Sequence, residues 1–260
     1  MSWLITSIFP TEKRITRELV EIGARAAAAE MISTGTTFAC DMYHFPGSIG
    51  PVLADAGIRG VICGPTTEWP PKENAIDDGS TLKELEGLLS QGALGDGRVE
   101  YGVATHAVYT CNEEVLMRGS DLARKYDSTL HIHTSETRDE VANCHAERGM
   151  YPVDYLDSIG YFTNKTVCAH CGWVTKKEMR ILAGHSALGV HCPTSNQKLA
   201  CGGTMSYPAM IEAGVDVRLG TDGAASNNSL DLRKEAKIAS LIQRHDHWDA
   251  SILDLSLIHI

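Results

Sequence analysis

The sequence lacks an excess of positive charge. Its 260 residues include 23 Lys and Arg against 33 Asp and Glu, so the formal net charge is −10. Proteins that bind the phosphate backbone of nucleic acids present a basic face to it. The charge balance therefore argues against nucleic acid as the main ligand, whereas a single base or nucleoside bound in a pocket is compatible with it.

Long apolar runs and a secretory signal are also missing. No run reaches the roughly 20 residues that a membrane-spanning helix needs. The opening, MSWLITSIFPTEKR, has neither a basic region before its apolar stretch nor a small-residue cleavage site. The eight cysteines are scattered through apolar segments, a pattern typical of reduced, buried thiols rather than of a disulfide framework. We therefore predict a cytoplasmic protein without membrane association.

Short apolar segments alternate with helical patterns along the whole chain. Strands are predicted over residues 36–41, 59–63, 99–105, 129–133, 166–170, 188–191 and 216–222. Helices are predicted over 16–31, 49–56, 81–90, 113–126, 138–148, 151–159, 176–183, 207–213 and 230–244, and a loop over 68–78. Short strands that are apolar throughout are typical of a parallel sheet covered by helices. We predict an α/β fold of the (β/α)8-barrel type, in which the first strand would lie before Met1.

Polar side chains gather at the carboxyl ends of the predicted strands, the rim where parallel α/β folds build active sites. The residues at this rim are Asp41, His106, His133, His170, His191 and Asp222. Buried histidines and aspartates must each find a polar partner, so packing alone explains such a set poorly. We predict an active site formed by these strand ends.

Three short segments refine this prediction. In His131-Ile-His133-Thr-Ser-Glu136 both histidines point the same way, because a strand repeats every two residues. A metal ligand followed closely by a carboxylate suits metal-assisted hydrolysis, in which the carboxylate transfers protons. VCAHC ends a strand at His170, and LGTDGAASNN takes Asp222 into a turn of small residues that leaves room for a ligand.

Seven segments carry a resemblance to a known family. They are GTDGAASNN, which is the most specific, and HIHTSET, VCAHC, WLITSIFPTEKRIT, GTTFACDMYHFP, ATHAVYTCNEE and HCPTSNQKLACGG. These resemble the amidohydrolase superfamily and, within it, the 5′-methylthioadenosine/S-adenosylhomocysteine deaminases, from about Trp3 to Arg244. The resemblance implies an enzyme of nucleoside metabolism, a metal-dependent barrel that hydrolytically deaminates an adenosine-like nucleoside. Its cofactor would be Zn²⁺ or another divalent ion such as Fe²⁺ or Mn²⁺.

The resemblance also implies roles for particular residues. His133 and Asp222 resemble metal ligands, and His170 resembles a histidine that orients the attacking water or contacts the metal. Asp222 would help to deprotonate that water. Glu136 would protonate the ring nitrogen of the substrate and assist the departure of ammonia.

Substrate contacts are implied for His106, Asn196 and Glu136. Family members that bind the homocysteine carboxylate often carry arginines after their third strand, and an arginine fork is the usual carboxylate clamp. The corresponding stretch here, VICGPTTEWPPKENAIDDGS, contains none. An uncharged nucleoside or base is therefore favoured as the small-molecule partner.

The sequence departs from the family pattern at both ends. The family's first strand bears a His-x-His metal-ligand pair, and the pair formed here by His131 and His133 has the register of strand five. His131 is therefore expected to point inward, one layer deeper. Residues 245–260 form an atypical tail, and the family's small β-sandwich is missing. We expect residues 1–260 to form a partial barrel, strands 2 to 8, that binds metal weakly and has little activity alone.

Other interpretations of the sequence stay open. His145-Ala-Glu147 with Cys168 and Cys171 resembles the signature of zinc-dependent cytidine-type deaminases, although the proline of that signature is absent. Another amidohydrolase, such as a guanine-type deaminase or an s-triazine chlorohydrolase, would use the same ligand types. A catalytically inactive, truncated homologue is a further alternative. A homo-oligomer is also compatible with the sequence.

Overall fold

A computed structural model describes residues 4–66 and 80–253 of the chain. These residues belong to two compact units, the first comprising Met1–Ser33 and Thr37–His131 and the second Thr34–Thr36 and Ile132–Ile260. The described residues contain seven strands, the number that the sequence predicts. None of the helices in those ranges combines the length and the apolar character needed to cross a membrane.

The first unit alternates helices with strands β1 to β3 and ends within β4. Its elements are a π-helical turn at Leu4–Ile8, α1 (Phe9–Glu12), α2 (Arg17–Ser33), β1 (Phe38–Met42), α3 (Pro46–Ala56), β2 (Arg59–Thr66), α4 (Ser80–Gln91), β3 (Val99–Thr105), α5 (Glu113–Lys125) and the start of β4 (Leu130–Thr134).

The second unit continues the same alternation from β4 onward. Its elements are α6 (Arg138–Arg148), α7 (Pro152–Ser158), β5 (Thr166–His170), α8 (Lys176–Gly184), β6 (Leu188–His191), α9 (Pro193–Lys198), α10 (Tyr207–Glu212), β7 (Asp216–Leu219), α11 (Ala224–Asn227) and α12 (Leu232–His247).

All strand pairs with a defined register are parallel. In the first unit β1 pairs with β2, β2 with β3, and β3 with β4. In the second unit β5 pairs with β6, and β6 with β7. Neighbouring strands follow one another in chain order. This arrangement confirms the predicted parallel α/β class and brings the carboxyl ends of paired strands to one edge.

Local sequence signals set several helix ends. Asn112 precedes α5, and its side-chain oxygen accepts a hydrogen bond from the Val115 amide at 2.9 Å. Thr175 and Glu178 form a reciprocal capping box at the start of α8. Helix α3 ends at Gly57, whose φ of 79° lies in the left-handed region that glycine adopts without penalty. These caps fix where each helix returns the chain to the next strand.

Each unit buries its own apolar side chains. The core cluster of the first unit is formed by Val20, Ile49, Leu53, Ile62, Val99 and Tyr101. The largest fully buried apolar side chains of the second unit are Tyr161, Ile132, Leu156, Leu182, Met205 and Met210. Strand residues supply part of each set, as expected for strands covered by helices.

Gly102 in β3 leaves no space for a side chain. A Cβ atom there would lie 2.6 Å from Cys63 Sγ and 3.0 Å from the Thr129 carbonyl oxygen. Because that carbonyl belongs to the backbone, it cannot move away without a displacement of the main chain. We expect Gly102→Ala to lower the free energy of unfolding by about 1–3 kcal/mol, measured by urea denaturation.

The matched control for this substitution is Gly87→Ala. Gly87 lies in α4 with nothing within 4 Å of its added Cβ atom. Alanine there should be neutral or stabilise the protein by up to about 1 kcal/mol, because glycine disfavours a helix interior. Equal unfolding midpoints for both alanine variants would contradict the steric account of Gly102.

The structure corrects the sequence prediction at the end of the chain. The last strand was expected to reach Asp222, but β7 ends at Leu219, and Asp222 adopts a left-handed φ of 60° that no strand accommodates. Helix α12 continues to His247, and Arg244 Nε then donates to the Ile252 carbonyl at 2.9 Å. The predicted loop 68–78 and the segment 254–260 lie outside the described residues. The assignment of residues 1–260 to one partial barrel stays a prediction.

Candidate metal centre and active site

Three residues predicted to bind a metal lie together in the second unit. The donor atoms of His133, His170 and Asp222, here called the histidine–aspartate cluster, all lie within 4.8 Å of one another. The two imidazole rings have centroids 5.3 Å apart. Imidazole nitrogens and carboxylate oxygens bind zinc at about 2.0–2.2 Å. The donor types and their spacing therefore fit one divalent ion.

The Asp222 carboxylate is fixed by neighbouring donors. The hydroxyl groups of Ser195 and Ser226 donate to Oδ2 at 2.5 and 2.8 Å, and the Gly223 amide donates to Oδ1 at 2.8 Å. Burial acts to raise the pKa of Asp222, but the two cluster histidines and the serine hydroxyls hold it below its usual value. Asp222 is therefore an anion at neutral pH, as a metal ligand must be.

Glu136 lies beside this cluster, as expected for a proton-transfer residue. Its Oε2 is 3.8 Å from His170 Nε2, and its Oε1 accepts a hydrogen bond from the Cys201 thiol at 3.5 Å. The Glu140 carboxylate accepts hydrogen bonds from the amides of Ser135 and Glu136 at 2.9 and 2.8 Å. A carboxylate on α6 thus holds the turn that presents Glu136.

Glu140 is expected to make folding stability depend on pH. Burial raises its pKa to about 7 from the usual 4.5. The folded state therefore binds this proton more tightly than the unfolded state does. The stabilisation that results is complete below about pH 4.5 and is lost as the pH rises through about 7. The loss amounts to roughly 3 kcal/mol. Glutamine does not titrate. We therefore expect the free energy of unfolding of Glu140→Gln, measured by urea denaturation at several pH values, to lack this dependence on pH.

The control for the pH series is Glu147→Gln, at an exposed position of the same helix. This variant should keep the wild-type dependence of stability on pH. A Glu140→Gln profile parallel to that of the wild type would show that Glu140 does not carry the effect.

Asn196 connects the histidine–aspartate cluster to a cleft. Its amide nitrogen is 3.2 Å from His170 Nδ1, and it lines a cavity of about 240 Å³ together with His191. Burial, with His170 nearby, lowers the pKa of His191 to about 4, so this imidazole is neutral. Within the described residues its Nδ1 has no hydrogen-bond partner. The cleft therefore offers polar side chains next to the cluster.

The turns that carry the site have an unusual backbone. Ser135, His170, Cys171 and Asp222 all have positive φ, between 48° and 72°. The Cys171 amide also donates to the Thr134 carbonyl at 2.9 Å, which ties the turn after β5 to the end of β4. Non-glycine residues in this region are uncommon and concentrate at functional sites, where surrounding contacts fix them.

The remaining predicted rim residues, His106 and Asp41, lie in the first unit. His106 Nδ1 is 2.8 Å from Thr110 Oγ1, and its ring makes an edge contact with Tyr109 at 5.8 Å between centroids. Asp41 is half-buried, its Oδ1 has no hydrogen-bond partner in the described part of the chain, and burial raises its pKa to about 7. The substrate-binding role of His106 stays a prediction.

In the described part of the chain, the residues of the cytidine-type deaminase signature do not form a metal site. His145 is exposed on α6, where its ring lies 4.9 Å from that of Tyr151. Cys168 and Cys171 are buried, and burial raises the pKa of Cys168 to about 12. Across residues 4–66 and 80–253, neither cluster suited to a metal ion contains any of these side chains.

The residues that support the site are not predicted from the sequence. Glu140 had a signal, because Thr137-x-x-Glu140 has capping-box spacing and Thr137 Oγ1 accepts a hydrogen bond from the Glu140 amide at 3.1 Å. Ser226 lies within the GTDGAASNN motif, and Ser195 precedes Asn196 in HCPTSN. Nothing in either segment indicates that their hydroxyls converge on Asp222.

Comparison with known proteins gives close relatives along nearly the whole chain. The chain is 40% identical over 251 residues to a 5′-deoxyadenosine deaminase of Methanothrix thermoacetophila. It is 36% identical over 255 residues to a 5-methylthioadenosine/S-adenosylhomocysteine deaminase of Thermococcus kodakarensis. A crystal structure of an adenosine deaminase from Xanthomonas campestris with bound zinc matches with a TM-score of 0.90 and 33% identity. This match confirms the predicted amidohydrolase barrel class.

The matches cover most of this chain but only part of each relative. The match to the Methanothrix deaminase covers 96% of this chain and 58% of that protein. The match to the Thermococcus deaminase covers 98% of this chain and 59% of that protein. For the solved structure the shares are 97% of this chain and 57% of the other. The amidohydrolase family pattern runs through residues 1–258. On this match, the chain belongs to the amidohydrolase family.

Proposed function

We propose that this chain carries the active site of a zinc-dependent enzyme that hydrolytically deaminates adenosine-like nucleosides. The observation that carries the proposal is the histidine–aspartate cluster with the Glu136 carboxylate beside His170. Ligands of this type next to a buried carboxylate suit metal-assisted hydrolysis. The names of the relatives support the substrate class, and the zinc in the solved structure supports the choice of metal.

His133, His170 and Asp222 would hold the ion through two imidazole nitrogens and one carboxylate oxygen. A bound divalent ion supplies positive charge that lowers the pKa of water and stabilises developing negative charge. Asn196, beside Nδ1 of His170, fixes the orientation of that ring. Outer contacts of this kind usually orient metal-binding histidines.

Deamination replaces an amino group with an oxygen atom from water and requires proton transfers in both directions. Asp222 accepts a proton from the attacking water, and Glu136 donates one to the ring nitrogen beside the reacting carbon. As the carbon–nitrogen bond breaks, Glu136 takes the second proton of the water and passes it to the departing amine, and the proton held by Asp222 returns to Glu136, so that both carboxyl groups regain their starting states. One water is consumed and one ammonia released, without any change in oxidation state.

The substrate is an adenosine-like nucleoside with an uncharged 5′ group. Residues 61–80 contain no arginine to clamp a homocysteine carboxylate. We assign substrate contacts to His106, Asn196 and Glu136. The eight cysteines are all free, which supports a cytoplasmic location.

A substrate panel tests this function. The zinc-loaded protein is given 5′-deoxyadenosine, adenosine, S-adenosylhomocysteine, guanine and a chloro-s-triazine, and the release of ammonia or chloride is measured. Because the chain alone is expected to have little activity, we expect low rates throughout, with the uncharged adenine nucleosides reacting fastest and S-adenosylhomocysteine more slowly. A preference for guanine or for the triazine would favour another amidohydrolase. No turnover of any compound, with zinc bound at the cluster, would overturn the proposal.

A further inference from the structure

A second group of metal-binding side chains lies in the first unit, and the proposed deaminase chemistry makes no use of it. The Sγ atoms of Cys40 and Cys63 and an imidazole nitrogen of His131 all lie within 4.8 Å of one another. Cys40 Sγ is 3.5 Å from His131 Nδ1. We propose that these three residues, here called the thiol cluster, form a zinc site that ties β1, β2 and β4 together.

The register of the strands brings the two thiols to one face of the sheet. In the parallel pair of β1 and β2, Cys40 lies opposite Val61, and Met42 lies opposite Cys63. Residues paired across neighbouring strands point to the same side, and alternate residues of one strand share a face. Both thiols therefore project from the same side, where the His131 imidazole meets them.

Two residues of the thiol cluster are buried and the third is partly buried. Cys63 and His131 are 0% and 7% exposed, whereas Cys40 is only partly buried. Gly102 provides the space for the Cys63 thiol, because a Cβ atom there would lie 2.6 Å from its Sγ. Cys40 is therefore the most exposed residue of the three.

The donor types select a particular class of metal. Thiolate and imidazole ligands favour zinc and other thiophilic ions over magnesium and calcium, which prefer oxygen. Two cysteines and one histidine form a known zinc ligand set, with a fourth position left for water. Neither thiol is used in a disulfide, so both can ligate. The histidine–aspartate cluster contains no sulfur, and this difference separates the two sites experimentally.

Cobalt(II) reports on the thiol cluster, because thiolate ligands give it an intense near-ultraviolet charge-transfer band. We expect the reduced, metal-free protein to develop this band with cobalt and to lose it when zinc is added. Cys40→Ser and Cys63→Ser should each abolish the band. Cys111→Ser, which removes another buried thiol of the same unit, should retain it. Asp222→Asn should also retain it, because it alters only the other cluster.

Zinc content gives a second measure. We expect two zinc ions per wild-type chain, one after Cys40→Ser and one after Asp222→Asn, with unchanged circular dichroism showing that each variant folds. Cys40 is the milder position, since it is only partly buried. Cobalt binding without a thiolate band, or a band that survives both serine variants, would overturn this proposal. If the wild type bound a single zinc ion that Cys40→Ser removed and Asp222→Asn retained, the proposed function would fail and the thiol cluster would stand.

Discussion

Asp222→Asn is expected to weaken zinc binding at the histidine–aspartate cluster by about 100-fold or more. Loss of a supporting contact to a ligand typically costs 10–100-fold, and this substitution removes an anionic ligand itself. It also leaves the hydroxyl groups of Ser195 and Ser226 directed at a neutral amide instead of a carboxylate. The affinity is measured by competition with a chromophoric chelator.

Two further variants serve as the control and as the background for this measurement. Asp216→Asn, at an exposed position of β7, removes an aspartate that pairs with Arg218 and should leave zinc affinity unchanged. Cys40→Ser removes the thiol cluster, so that the titration reports the histidine–aspartate cluster alone. If Asp222→Asn in this background bound zinc as tightly as its parent, Asp222 would not be a ligand.

Glu136→Gln is expected to lower kcat by roughly 10²- to 10⁴-fold, the usual contribution of a general acid or base. Glutamine has the same shape but cannot carry a proton between water, the ring nitrogen and the amine. Because Glu136 is not among the donors of the histidine–aspartate cluster, zinc content should stay at the wild-type value. Steady-state rates of ammonia release and zinc analysis of the same preparation check both parts.

The control is again Glu147→Gln on α6, which should retain wild-type kcat. A rise in KM with unchanged kcat in Glu136→Gln would indicate that Glu136 only binds substrate. Unchanged rates would remove Glu136 from the mechanism.

Much of the fold can be predicted where apolar periodicity and capping residues agree. The bounds of β3, β5, β6 and α6 match the prediction to the residue. Helix α9 is not predicted because its sequence, PTSNQK, is polar and short, and only Cys192 separates it from β6. Its form depends on tertiary contacts such as the hydrogen bond from the Thr194 amide to Glu235.

The site was predictable only in part. Histidines at strand ends and the family resemblance identified His133, Glu136, His170 and Asp222. The sequence does not indicate which side chains contact each other across the fold. The roles of Glu140 and of the serine hydroxyls are therefore not predicted from it. The thiol cluster illustrates the same limit, because Cys40 and Cys63 look like ordinary buried thiols until the register of β1 and β2 aligns them.

His133, His170 and Asp222 are proposed to bind one divalent ion next to Glu136. Anomalous diffraction at the zinc edge, from crystals of the zinc-loaded protein, tests it most directly. We expect a peak within bonding distance of an imidazole nitrogen of each histidine and of a carboxylate oxygen of Asp222. Zinc found only between Cys40, Cys63 and His131, or at neither cluster, would contradict it.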